Sequence, residues 1–321
     1  MQEYLLFIAG FTILILGAQF LVDGASAAGT KLGLSQLVIG LTVVAIGTSL
    51  PELIINVFAS ISGKSGLAIG NVIGSNLMNT LLIVGITALI FPIKASRSIY
   101  KRDVWINLMA ILVLIMLAND FLFFKAINVI DRFDGGILLV MFTYVLYLIF
   151  FKSGNEPDEI PAIEQPKHMS WFKAIAYIVS GMAGLYFGGQ WIVSSATTIG
   201  AQWGISDSMM GMTVIAVATS LPELVTSIVA AIKKNTDIAL GNVLGSNIFN
   251  IFLVLGVSAT IHPISYETTH NIDLGILFAS GLFIAFVIYT GKTSKTITRY
   301  EGAVLILSYL VFMIWSIVNA S

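Results

Sequence analysis

The sequence predicts an all-α integral membrane protein with ten transmembrane helices, arranged as two inverted five-helix repeats. Three observations carry this expectation. Hydrophobic residues make up 57% of the 321-residue chain and charged residues only 10%, whereas charged residues are about a quarter of a soluble domain. The apolar residues gather in ten runs, of the length needed to cross a hydrocarbon core about 30 Å thick. Finally, two polar motifs each occur twice, at a constant offset of 171 residues.

The first five runs span roughly residues 3–22, 36–62, 66–92, 103–119 and 134–152. The second five span roughly 171–192, 207–232, 237–262, 273–291 and 300–319. These runs are continuously apolar, unlike the short alternating segments of a membrane β-barrel. Met1-Gln2-Glu3-Tyr4 lacks a basic region, so the first run reads as a retained span rather than a cleaved signal. The second and seventh runs carry Gly40-Leu-Thr-Val-Val-Ala-Ile-Gly-Thr-Ser-Leu-Pro-Glu52 and Gly211-Met-Thr-Val-Ile-Ala-Val-Ala-Thr-Ser-Leu-Pro-Glu223. The third and eighth carry Gly70-Asn-Val-Ile-Gly-Ser-Asn-Leu-Met-Asn79 and Gly241-Asn-Val-Leu-Gly-Ser-Asn-Ile-Phe-Asn250. The repeat reaches further, matching Gly17 with Gly188, Gly33 and Ser35 with Gly204 and Ser206, and Pro92 with Pro263. An odd number of spans per repeat turns the second copy upside down in the membrane. The expected organisation is a first repeat over 1–152, a linker over 153–170 and a second repeat over 171–321.

Loop charges orient the chain. With both termini outside, 13 of the 16 basic residues fall on the cytoplasmic side, as the positive-inside rule asks. The central linker is then cytoplasmic. It is polar and proline-rich, and its acids Glu156, Asp158, Glu159 and Glu164 lack the glycine and alternating ligands of an EF-hand, so it reads as a solvated connector. Asp120, Asp131 and Asp134 likewise read as a solvated loop, and no acid is required at Asp23, whose counterpart is Ser194. His168, His262 and His270 fall in or near loops. The absence of cysteine excludes disulfides, thiolate metal sites and cysteine nucleophiles. A net charge of −1 argues against a nucleic-acid partner. No phosphate-binding Gly-x-x-x-x-Gly-Lys-[Ser/Thr] motif appears, so energy is expected from an ion gradient rather than ATP.

The repeated motifs place oxygen ligands at membrane depth. Pro51 has no N–H and interrupts the helix, freeing carbonyls just before it. Ala45, Ser49, Glu52 and Asn56 recur at helical spacing, as do Ala216, Ser220, Glu223 and Ser227. Asn71, Ser75 and Asn79 form a polar stripe every fourth residue, and so do Asn242, Ser246 and Asn250. Glycines at 70, 74, 241 and 245 let these helices approach closely. A proline and acid at a helix start also form a common capping pattern, and asparagines at 71, 76, 242 and 247 can serve as interhelical hydrogen-bonding groups. Hard cations suit this set. Calcium takes about 6–8 oxygens, and two glutamates match its charge; sodium accepts the same oxygens. Without His or Cys in the motifs, transition metals are disfavoured.

These duplicated motifs resemble the two α-repeats of the sodium/calcium exchangers, within the cation/calcium antiporter superfamily. The resemblance spans the whole chain. It implies a midplane ion cluster in which Glu52 and Glu223 are the central carboxylates, while Thr48 and Thr219 give backbone carbonyls to calcium. It implies one flanking sodium site at Ala45, Ser49 and Ser75, another at Ala216, Ser220 and Ser246, and Asn79 and Asn250 lining the middle. Spans one and six would move as a gating pair. Two departures matter. Ala218 replaces the glycine of the first copy, and Asn250 stands where potassium-dependent members carry aspartate, which counts against potassium coupling. The long regulatory domain of animal exchangers is missing, and a prokaryotic plasma membrane is expected.

The function expected is antiport of Na⁺ against Ca²⁺ by alternating access, not enzymatic catalysis. Ca²⁺ and Na⁺ are the transported ions, with no organic cofactor; the partners are those cations and the lipid bilayer, with no obligate protein partner. Proton/calcium exchange on the same scaffold is the nearest rival. A cation channel conflicts with inverted broken helices, and a metal-dependent hydrolase lacks His ligands and a nucleophile constellation.

Overall fold

The computed structural model describes residues 2–119, 128–152, 169–202, 219–290 and 295–320. Within them, helices occupy all ten predicted runs. In the first repeat they are α1 (Gln2–Leu32), α2 (Gln36–Thr48), α3 (Leu50–Ile61), α4 (Gly66–Ile90), α5 (Val104–Ala118) and α6 (Arg132–Lys152). The second repeat contributes α7 (Trp171–Gln202), α8 (Leu221–Ile232), α9 (Thr236–Ile261), α10 (His270–Thr290) and α11 (Arg299–Ala320). Among the described residues, six helices are individually long and apolar enough to cross a membrane, or seven if the bent pair α2 and α3 counts as one span. Expected ligand Ala216, the Gly211–Ala218 segment, Gly204, Ser206, Asp120, His168 and the linker acids Glu156, Asp158, Glu159 and Glu164 lie outside the described residues.

Apolar side chains of the peripheral helices face outward, as in lipid. Phe151, Phe172, Phe286 and Val311 are exposed, whereas α9 is almost wholly buried. The core therefore forms where α4 and α9 cross, with Ile73, Leu77, Leu81, Val243, Leu244 and Phe252 packed together. Both helices leave the α pattern for a π-helical stretch, at Met78–Ile83 and Phe249–Val254. Such bulges often mark functional sites, and these two are related by the 171-residue offset.

Helices α1 and α7 pack along a seam of glycines. A Cβ on Gly17 would lie 2.7 Å from the Leu185 nitrogen and 2.9 Å from the Gly181 carbonyl oxygen. Added atoms at Gly10 and Gly188 would strike the opposing backbone as closely. Backbone contact of this kind needs glycine. It also corrects two boundaries: α1 runs ten residues beyond the predicted 22, and α7 ten beyond the predicted 192. Asp23, read from sequence as dispensable, lies inside α1 and pairs with Lys233 at the end of α8.

Among the described residues, four two-residue strands, too short to show a periodic pattern, tie the repeats together. β1 (Ile93–Lys94) pairs antiparallel with β4 (Thr296–Ile297), and β2 (Val129–Ile130) with β3 (Ile264–Ser265). The 171-residue offset carries β1 onto β3, so each ladder joins one repeat to the other. Asp134 corrects the solvated-loop expectation. It is fully buried at the start of α6, where its carboxylate accepts the Asp131 N–H at 2.9 Å and Asp131 accepts from Phe133 and Asp134. That is reciprocal capping of a helix start.

Candidate functional site

The break before Pro51 builds the site. Ser49 leaves helical geometry (φ −86°, ψ 7°), and α3 departs from α2 at 47°. Ser220 does the same before Pro222 (φ −92°, ψ 6°). With no N–H on Pro51 and the first bond of α3 running from Leu53 to the Ser49 carbonyl, backbone polarity is exposed at the bend. Glu52 and Glu223 sit in the first turn of α3 and α8, where the helix dipole favours an anion. Both are completely buried.

The neighbours of each carboxylate come from both repeats. Ser49 donates to Glu223 Oε1 at 2.9 Å, and Ser246 donates to the same oxygen at 3.4 Å. The equivalent residues, Ser220 and Ser75, lie beside Glu52, yet neither closes a hydrogen bond of normal geometry to it. Thr48 donates to Asn242 Oδ1 at 3.1 Å, and Thr219 to Asn71 Oδ1 at 3.5 Å. Asn242 in turn donates to the Glu223 carbonyl and to Ser227, while Asn71 donates to Asn56. Of the predicted ligands, Glu52, Glu223, Ser49, Ser75, Ser220, Ser246 and both threonines are therefore brought together. Ala45 is also buried here, though its carbonyl already accepts from Ser49 N–H and the Thr48 hydroxyl. Asn71 and Asn242, expected on the polar stripes and as interhelical hydrogen-bonding groups, hold Thr219 and Thr48 across the repeat interface.

Buried polar atoms are nearly always partnered, so the exceptions are informative. Both oxygens of Glu52, Oε2 of Glu223, the hydroxyls of Ser75 and Ser220, and Oδ1 of Asn79 and Asn250 are buried without a hydrogen-bond partner. Within the two repeated motifs every such atom is an oxygen, and they are drawn from both repeats. No group of three or more His, Cys, Asp or Glu side chains occurs among the described residues. Two carboxylates among neutral oxygens suit a hard cation. A cavity of about 280 Å³ adjoins the bends, between Pro51, Thr219 and Pro222 on one side and Leu185, Gln190 and Ser194 of α7 on the other.

The family model for "Sodium/calcium exchanger protein" matches residues 3–152 and again residues 173–318. The chain belongs to the sodium/calcium exchanger family. It is an integral membrane protein and a transporter rather than an enzyme. It is 33% identical over 346 residues to "Sodium/calcium exchanger MaX1" of Methanosarcina acetivorans, covering 97% of each chain. It is 33% identical over 296 residues to "Inner membrane protein YrbG" of Escherichia coli, covering 85% of this chain and 86% of that one. A solved structure of the sodium-calcium exchanger NCX_Mj, soaked with Na⁺ and Ca²⁺, superposes with a TM-score of 0.81 at 30% identity, covering 97% of each chain. The all-α, two-repeat fold expected from sequence is thereby established.

Proposed function

We propose that this exchanger carries Na⁺ one way and Ca²⁺ the other by alternating access, with Glu52 and Glu223 as the shared counter-charges. The observation that carries the reading is the set of buried, unpartnered oxygens contributed by both repeats around the two carboxylates. Calcium would draw on both glutamates, the carbonyls of Thr48 and Thr219, and the oxygens of Asn79 and Asn250. Sodium would take the flanking neutral oxygens, at Ala45, Ser49 and Ser75 in one repeat and Ala216, Ser220 and Ser246 in the other. A monovalent ion needs less counter-charge than calcium and accepts hydroxyl and carbonyl ligands. The name of MaX1 and the ions soaked into NCX_Mj favour the same pair of ions.

The two working units are the repeats 1–152 and 171–321, joined by the linker 153–170. We place the chain in a prokaryotic plasma membrane, as the name of YrbG supports. Both termini lie outside and the linker is cytoplasmic, because of the loop-charge bias. In that orientation the cavity beside Pro51 and Ser194 leads outward from the bends. The experiment is calcium uptake into proteoliposomes with imposed ion gradients. Loaded with Na⁺ and diluted into Na⁺-free buffer at clamped pH, they take up Ca²⁺ on this reading. Uptake that ignores the Na⁺ gradient and follows an imposed pH gradient supports proton coupling instead.

A further inference from the structure

We infer that Asn76 and Asn247 are positioning residues. They turn the amide groups of Asn79 and Asn250 so that oxygen, and not nitrogen, is presented to the transported cation. This inference rests on the ion site proposed above.

The two helices meet through their amides where α4 crosses α9. Asn250 Nδ2 donates to Asn76 Oδ1 at 3.1 Å, and Asn79 Nδ2 donates to Asn247 Oδ1 at 3.1 Å. Each bond crosses from one repeat to the other. All four residues are buried: Asn76, Asn79 and Asn250 have no exposed surface, and Asn247 has 2%. The remaining oxygens, Oδ1 of Asn79 and of Asn250, have no partner. Asn79 stands one turn beyond Ser75, the neighbour of Glu52, and Asn250 one turn beyond Ser246, which bonds Glu223. Residues one turn apart share a helix face.

An amide has two faces of opposite polarity, so its orientation decides whether it attracts or repels a cation. For Asn250 the orientation is set by a chain of bonds that begins at a backbone carbonyl. Asn76 Nδ2 donates to the Asn247 main-chain oxygen at 3.4 Å, an atom that can only accept. Asn76 must then turn its Oδ1 to Asn250, Asn250 must answer with Nδ2, and its own Oδ1 is left free. For Asn79 the chain begins at Thr80, whose hydroxyl accepts Asn247 Nδ2 at 2.9 Å. Asn247 Oδ1 is thus turned to Asn79. The position equivalent to Thr80 is Ile251, so the two clamps are anchored differently, one on a carbonyl and one on a hydroxyl. A hydroxyl can turn and also donate, which makes the Asn79 clamp the softer of the two.

The test is a double-mutant cycle on the full chain in proteoliposomes, reading KM and maximal rate for Ca²⁺. Asn76→Leu keeps the volume and removes the acceptor for Asn250. We expect KM to rise about tenfold, as for loss of one buried polar interaction, with the maximal rate changed less. On an Asn250→Ala background, Asn76→Leu should add nothing further, because a positioning residue acts only through the group it holds. Should Asn76→Leu fold poorly, Thr80→Val serves on the other clamp: it should raise KM about threefold, and Thr80→Ser should restore it. An unchanged KM in Asn76→Leu, or equal multiplicative losses on both backgrounds, overturns the inference; so does a Thr80→Val effect that Thr80→Ser fails to rescue. Glu52→Gln and Glu223→Gln run alongside as the reference for the site itself. If those two variants still transport Ca²⁺, the site proposal has failed; if they are dead and Asn76→Leu is silent, only the positioning role has.

Discussion

The two repeats use the same residues for unequal tasks. In the second repeat Glu223 is held by Ser49 and Ser246 and leaves one oxygen free, whereas in the first repeat Glu52 leaves both oxygens free. The ends of α1 and α7 differ too. Asp23 of α1 pairs with Lys233 of α8, but the equivalent positions are Ser194 and Ser62, where no ion pair can form. Ser194 instead lines the cavity beside the bends. Duplication thus supplies a common frame in which the same serines leave the two carboxylates differently bonded, while the change from Asp23 and Lys233 to Ser194 and Ser62 confines the ion pair to one end.

The largest effect is expected at the carboxylates, where the comparison can be broken outright. Glu52→Gln or Glu223→Gln removes half the formal counter-charge from a site sealed from water. Each should reduce calcium uptake by about a hundredfold or more, the order expected when a buried ion loses a charged partner. Each variant exchanges one carboxylate oxygen for an amide nitrogen, and residual binding should be weaker in Glu52→Gln, whose oxygens are both unpartnered in the protein. Equal affinity in the two variants would mean that the asymmetry does not survive ion binding.

Helix approach comes next. Gly17→Val must part α1 from α7, since even a methyl would lie 2.7 Å from the Leu185 nitrogen. Overpacking costs about 1–3 kcal/mol, so the variant should lose thermal stability. Gly33, whose φ of 68° lies in the left-handed region and whose added Cβ meets nothing, should be sensitive through backbone strain alone. A wild-type melting profile for Gly17→Val would show that the seam is looser than described.

Acid should act on both carboxylates together. Protons and Ca²⁺ compete for the same oxygens, so calcium affinity should fall as pH drops through the range where the glutamates become protonated. Calcium titrations across a pH series check this. The hydroxyls should separate the repeats more finely: Ser49→Ala takes a hydrogen bond from Glu223, while Ser220→Ala takes none from Glu52. Calcium affinity should fall about tenfold to a hundredfold for the first, the worth of a hydrogen bond to a charged group, and less for the second.

The smallest effect belongs to the one-sided ion pair. A partly exposed pair contributes about 1 kcal/mol or less. Asp23→Asn should therefore shift the balance of access states by less than about tenfold, toward opening at the Lys233 end. Because the chain has no cysteine, a single introduced thiol beside Lys233 reports this cleanly by its labelling rate. Ser62→Ala, at the equivalent position, should change nothing.

The repeat, its inversion and the buried oxygens of the candidate site were legible from sequence because membrane burial makes polar residues conspicuous. Glu52, Ser75 and Asn79 stand out against apolar neighbours, and the 171-residue offset relates each to a partner. Other features left no such trace. The β1–β4 and β2–β3 ladders are two residues each, too short for periodicity. Asp23 looked optional because its partner, Lys233, is 210 residues away in sequence. Asn76 and Asn247 read only as interhelical hydrogen-bonding groups, because amide orientation is a property of the network, visible only once α4 and α9 cross.

The central claim is that both repeats contribute to one cation site on which Na⁺ and Ca²⁺ exclude each other. Equilibrium Ca²⁺ binding to purified protein, titrated against Na⁺ at constant ionic strength and pH, tests it most directly. The account predicts saturable Ca²⁺ binding that Na⁺ displaces and that both Glu52→Gln and Glu223→Gln weaken severely. Ca²⁺ binding of wild-type affinity in either variant, or binding that Na⁺ at saturation leaves in place, would contradict it.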